Sequence, residues 1–123
     1  MVRNPVGWFE IYVQDMERAT AFYQKVLGVK LDKLPGVDLE MHAFPMNAEL
    51  YGASGALVRF EGMPSGGNST LVYFSCDDCG TEEARVVPAG GKVMRGKFSI
   101  GQYGFIALVT DTEGNMIGLH SMT

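Results

Sequence analysis

Trp8–Leu27, WFEIYVQDMERATAFYQKVL, is the stretch whose reading decides the fold. It alternates first. Phe9, Ile11 and Val13 fall on one side of an extended chain, with Trp8, Glu10 and Tyr12 on the other. The period then changes. Met16, Ala19, Phe22, Tyr23, Val26 and Leu27 recur three or four apart, the stripe of a helix that can lie on a sheet. Asp15 stands at the change, where its carboxylate can accept from the free N–H groups of the first turn. Gly28 supplies the residue that ends the helix.

The pattern returns. Leu71–Met94 aligns on Trp8–Leu31 without a gap, Asp78 on Asp15, Ala84 on Ala21 and Gly91 on Gly28, at a constant separation of 63 residues. Ala56-Leu57 echoes in Gly118-Leu119 at a separation of 62. Such a repeat marks two similar modules within one domain. The first spans about 1–61 and the second about 70–123, joined by 62–69, GMPSGGNS, the stretch densest in Gly, Pro and Ser. Working outward, strands are predicted over 6–14, 29–34, 37–44 and 55–61, then over 70–77, 92–97, 103–110 and 116–121. Helices are predicted over 16–27 and about 79–87, the second halted by Pro88 and Gly90-Gly91. The order βαβββ, given twice, is an α+β architecture. Each helix covers one face of its sheet, and the opposite faces turn toward a shared concavity, the default place for a ligand.

Composition narrows the partners. The chain has 123 residues, 46% hydrophobic and 20% charged, which is the balance of a globular domain. Its net charge is −4, and no basic cluster exceeds the Arg95/Lys97 pair, which argues against nucleic acid as the main partner. No apolar run approaches the ~20 residues of a membrane helix, and MVRNPVGWFE lacks the apolar region of a secretory leader. A soluble cytoplasmic protein is the expectation. Cys76-Asp-Asp-Cys79 has the spacing of a redox pair or of half a zinc site. No second pair completes a zinc cage, and Cys76 shares the buried parity of Val72 and Phe74, so two structural thiols are expected.

WFEI-x-V-x-D-x-x-R-A-x-x-FY, GALV, LVY-F-x-x-DD, AGGKV and DTEGN-x-IGLHS together resemble the vicinal-oxygen-chelate superfamily over almost the whole chain. That group holds glyoxalase I, extradiol dioxygenases, fosfomycin-modifying enzymes and bleomycin-resistance proteins. The resemblance implies two βαβββ modules forming a half-open, mostly antiparallel eight-stranded barrel, often paired as a homodimer. It also implies a cleft in which enzymes of the group hold a divalent metal such as Fe, Mn, Ni, Co or Zn. The ligands are His, Gln or Glu, one each from strands 1, 4, 5 and 8. Carried over, those positions fall on Trp8, Ala56, Leu71 and Gly118, none of which has a side chain that ligates a metal. The expectation is therefore no metal and no cofactor.

Two further residues share the cleft parity. Glu10 stands with Trp8, and His120 with Gly118. A carboxylate beside an imidazole can act as an acid–base pair, so Glu10 and His120 are the catalytic candidates, with mutual or backbone pairing as the plainer alternative. Trp8 and Tyr73 on the same face can wall a site for a flat or cationic ligand. The ligand pocket expected is Trp8, Glu10, Ala56, Leu71, Tyr73, Gly118 and His120. His42, between Glu40 and Phe44, is read as structural or surface, and Met41, Met46 and Met116 as an adaptable lining. The expected function is small-molecule binding without the family metal, as in the bleomycin-resistance branch. The alternatives are a metal- or Glu/His-dependent lyase, isomerase or dioxygenase, and a non-catalytic assembly or regulatory module.

Overall fold

The computed structural model describes residues 4–35 and 39–123. The strands are β1 (Phe9–Tyr12), β2 (Asp32–Lys33), β3 (Glu40–Ala43), β4 (Gly55–Arg59), β5 (Tyr73–Ser75), β6 (Lys92–Ser99), β7 (Phe105–Thr110) and β8 (Met116–Ser121). The helices are α1 (Met16–Leu27) and α2 (Cys79–Val86). Two four-stranded sheets result, ordered β1-β4-β3-β2 and β5-β8-β7-β6. In each the first strand runs parallel to the last, and the remaining pairs are antiparallel.

The helices form where the side chains dictate. Asp15 accepts from the Arg18 N–H at 3.0 Å, and Asp78 does the same for Gly80 at 2.9 Å. Gly28 closes α1 at φ 66°, a conformation cheap only for glycine. Both helices keep their predicted extents within one residue. The strands mostly come out shorter, because a strand extends only as far as its neighbour. The β1 ladder starts at Phe9 opposite Gly55, so 6–8 fall outside it. The β2 ladder holds only Asp32 and Lys33, opposite Ala43 and His42. The beginning of the predicted third strand reaches positions outside the described residues, and its described part pairs only from Glu40. In contrast, β6 runs on to Ser99, with irregularities after Val93 and after Arg95 that re-aim its side chains. The expected 98–102 loop is thus half strand and half a 3-10 turn at Gly101–Tyr103.

The register confirms the repeat. Glu10 sits beside Ala56 in the first sheet, and Tyr73 beside Gly118 in the second. Tyr73 is therefore the counterpart of Glu10.

One core serves both modules. The helix-side faces contribute Ile11, Val13, Leu57, Ala107, Val109, Ile117 and Leu119, and the helices contribute Met16, Ala19, Phe22, Tyr23, Val26 and Val86. Aromatic rings lock the joint. Phe74 of the second module lies 5.5–5.9 Å, centroid to centroid, from Phe9, Tyr23 and Phe44 of the first. Pairs at this spacing add roughly 1 kcal/mol each beyond the area they bury.

The joint is also polar. The Tyr23 hydroxyl, fully buried, donates to Asp111 at 2.7 Å. Burial, then the Asp111 carboxylate, hold that phenol well above its usual range. In the β7–β8 turn Glu113 accepts five hydrogen bonds: from the Gln14 and Asp15 N–H groups, from Arg18 Nε and Nη2, and from the Thr112 hydroxyl. Asn115 donates to the Tyr12 carbonyl and accepts from the Gly66 N–H, and Ser65 donates to the Glu113 carbonyl. A turn of the second module thus holds the first turn of α1 and the linker together.

Candidate functional site

The faces away from the helices carry the candidate site. In the first sheet Glu10, Ala56 and Ala43 form one row, and Tyr12, Val58 and Met41 the next. In the second, Tyr73, Gly118, Leu108 and Arg95 form one row, and Ser75, His120, Ile106 and Phe98 the next. Apolar and aromatic side chains dominate these rows, Glu10, Ser75, Arg95 and His120 are the polar members, and the Arg95 guanidinium lies 3.5 Å above the centre of the Phe98 ring.

Trp8, Leu71 and Tyr73 come together. They line a cavity of about 600 Å³ with Val6, Phe9 and Tyr51, between the entries to β1 and β5. Trp8 and Tyr73 remain 41% and 47% exposed, so their rings are open to a molecule entering there. Glu10, although bonded to Trp8 Nε1, lines a different cavity, of about 440 Å³, with Tyr12, Gly66–Thr70 and Asn115–Ile117. Ala56 is fully buried.

Gly118 has a distinct task. A Cβ built on it would run into the Tyr73 ring, so the missing side chain is what lets that ring lie across β8. This bears directly on a metal. Of the positions that match the family's ligands, Trp8, Ala56 and Leu71 have no donor for a hard cation, and the fourth has its space filled by an aromatic ring. Among the described residues no three His, Cys, Asp or Glu side chains converge. The side chains present do not fit the family's metal.

Glu10 and His120 have separate partners. Glu10 accepts from Trp8 Nε1 and from the Tyr12 hydroxyl, both at 3.3 Å. The Tyr12 phenol is raised by burial and then by that carboxylate. His120 Nε2 lies 2.7 Å from the Tyr103 carbonyl, an acceptor only, so this nitrogen carries the proton and donates it there. The structure shows no Glu10–His120 hydrogen bond or ion pair among the described residues.

The remaining candidates resolve plainly. His42 stands on the helix side, in a groove with Met16, Glu17, Thr20 and Gln24. Lys97 turns from the cleft to pair with Asp78 at 2.7 Å. Met116 joins the Glu10 cavity, and Met46 a separate one near Tyr51. Both cysteines are free; Cys79 is buried and Cys76 half-buried. Burial first, then the Glu82 carboxylate, push the Cys76 thiol up to about 12, which keeps it protonated and unreactive at neutral pH. Sequence reasoning missed Glu82 and the Tyr73–Gly118 overlap. The repeat alone could have indicated the second, by placing Tyr73 beside the glycine.

Comparison with known proteins gives the family and the fold. A sequence profile described as the Glyoxalase/Bleomycin resistance protein/Dioxygenase superfamily matches residues 6–119. Over 117 residues the chain is 31% identical to a Mycobacterium bovis protein provisionally named glyoxylase CFP32, covering 92% of this chain and 44% of that one. It therefore spans under half the length of that relative. TnmS3, an antibiotic binding protein from Streptomyces sp. CB03234, superposes with a TM-score of 0.70 at 29% identity, over 100% of this chain and 99% of the other. A glyoxalase/bleomycin resistance protein from the same Streptomyces gives 0.69 at 30% identity, covering 94% and 98%.

Proposed function

The chain belongs to the Glyoxalase/Bleomycin resistance protein/Dioxygenase superfamily, and we propose that within it this protein binds a small organic molecule by stacking and burial, without the family's metal. The observation that carries the reading is the Tyr73 ring lying over Gly118. It puts an aromatic surface where a ligating side chain would project. Trp8 and Leu71, at two further ligand positions, line a cavity with that ring, and burial of a flat molecule between aromatic walls is favourable without any charge. The antibiotic-binding relative supports the same class of activity.

A second copy of this chain is proposed to cover the open sheet faces, as in many dimeric members of the family. Tyr103 and Met122, which flank the adjacent strands β7 and β8, are 66% and 62% exposed and supply apolar contact area. Light scattering on the purified protein is expected to give twice 13.4 kDa.

Trp8 is the only tryptophan, so its emission reports on the site directly. Titration with planar aromatic compounds is expected to change that emission, with affinities unaltered by chelator. Tyr73→Ala is expected to weaken binding about tenfold, the loss of one stacking face. Trp8 emission that no planar compound alters, or binding that depends on an added divalent cation, would overturn the reading.

A further inference from the structure

A further cavity, of about 400 Å³, opens where the two modules meet. Phe9, Leu27, Val29, Phe44 and Phe74 give it an apolar side, and Ser54, Ser75 and the rings of Tyr51 and Tyr73 complete the lining. One acid lines it, Glu82 from the first turn of α2. Oε1 of that carboxylate is buried and has no hydrogen-bond partner among the described residues. Buried polar atoms are nearly always paired, and leaving one unpaired costs free energy. Its neighbours relieve it only weakly. The Cys76 thiol, a poor donor, is shared between this carboxylate and the Phe74 carbonyl 3.6 Å away. The Ser54 hydroxyl donates to the Phe44 carbonyl at 3.1 Å. Glu83, the next acid along α2, already accepts from the Lys97 N–H at 2.6 Å, and Lys97 Nζ is held by Asp78.

We propose that Glu82 is the anchor for a cationic nitrogen, and that this cavity takes an organic ammonium or amidinium whose apolar body lies on the phenylalanine walls. Each part of such a molecule has a counterpart. The N–H groups donate to the Glu82 carboxylate, the charge meets the single lining acid, and the aromatic faces of Phe9, Phe44 and Phe74 favour a cation beside them. Phe9, Tyr51 and Tyr73 line this cavity and the Trp8 cavity alike. A ligand anchored at Glu82 can therefore extend its ring system onto Trp8. The proposal rests on the small-molecule reading above and names the class of ligand.

The test uses phenethylammonium and its neutral counterpart 2-phenylethanol, with unmodified protein and with Glu82→Gln, read by calorimetric titration and by Trp8 emission. The ammonium is expected to bind unmodified protein at least about tenfold more tightly than the alcohol, the worth of one hydrogen bond to a charged group. Glu82→Gln is expected to level the two. Glu17→Gln, which removes a distant exposed acid and the same formal charge, is expected to keep the preference. Equal binding of both probes to unmodified protein, or a preference that survives in Glu82→Gln, would overturn the proposal while leaving the binding-protein reading intact. No binding of either probe together with unresponsive Trp8 emission would overturn both.

Discussion

Glu113→Gln replaces a carboxylate that accepts five hydrogen bonds with an amide that can accept at one oxygen only. Burial alone would raise the Glu113 carboxyl. The bonds from Arg18, Asp15, Thr112 and Gln14 outweigh it and hold the group at about 2, against an ordinary 4.5. That depression corresponds to about 3 kcal/mol favouring the folded anion. Arg18 is 51% exposed, so screening by water reduces the figure to about 2 kcal/mol. The sign follows from the lowered value. The contribution is complete above about pH 4.5, where the unfolded chain is ionised too, and it fades as pH falls toward 2. Urea denaturation of both proteins at pH 7, 5 and 3 measures it. Glu113→Gln should be about 2 kcal/mol less stable at pH 7, a melting point lower by about 8 °C for a chain of this size. The gap should persist at pH 5 and shrink to about half or less at pH 3. A gap that stays constant from pH 7 to pH 3, or one below about 0.5 kcal/mol at pH 7, would refute the assignment of this turn as an ionic clamp between the modules.

Other outcomes follow from the same structure. Tyr23→Phe should cost about 1–2 kcal/mol in chemical denaturation, because it leaves the buried Asp111 carboxylate one donor short. Gly28→Ala should cost about 1 kcal/mol, since φ 66° strains any residue with a Cβ. Cys76 and Cys79 should resist a thiol reagent at pH 8 in the native state and both react in denaturant, read by absorbance of the released chromophore. Gly118→Glu should destabilise by about 1–3 kcal/mol through overlap with the Tyr73 ring, and Tyr73→Ala in the same chain should restore most of the loss; a double-mutant cycle measures the coupling.

Sequence alone disclosed the helices and their caps, because each depends on residues within a turn of one another, and the repeat, because the same local pattern recurs 63 residues on. Asp15, Gly28 and Asp78 sit at the helix ends as their chemistry requires. The strand ends were not legible, because the partner decides them: β1 begins at Phe9 only because β4 begins at Gly55. At the site, the parity of Trp8, Glu10 and Tyr12 was legible, and so was the mismatch of the family's ligand positions with Ala56 and Gly118. The distribution of the seven pocket residues was not. Ala56 is sealed, His120 is committed to a carbonyl some seventeen positions earlier, and Glu10 faces a different cavity from Trp8. Glu113 read as one letter of a polar turn, and nothing local showed that it reaches across about 95 residues to Arg18. Glu82 drew no reading at all, since only the approach of the other module encloses it.

The ring of Tyr73 resting on Gly118 also shapes what descendants of this chain can become. A carboxylate introduced at 118 meets the ring, and removal of the ring alone gains no ligand while stripping a wall from the cleft. Either change taken first is a loss, and only the pair opens the position. Lineages carrying this tyrosine–glycine couple thus face a valley between the stacking cleft and a metal-holding one.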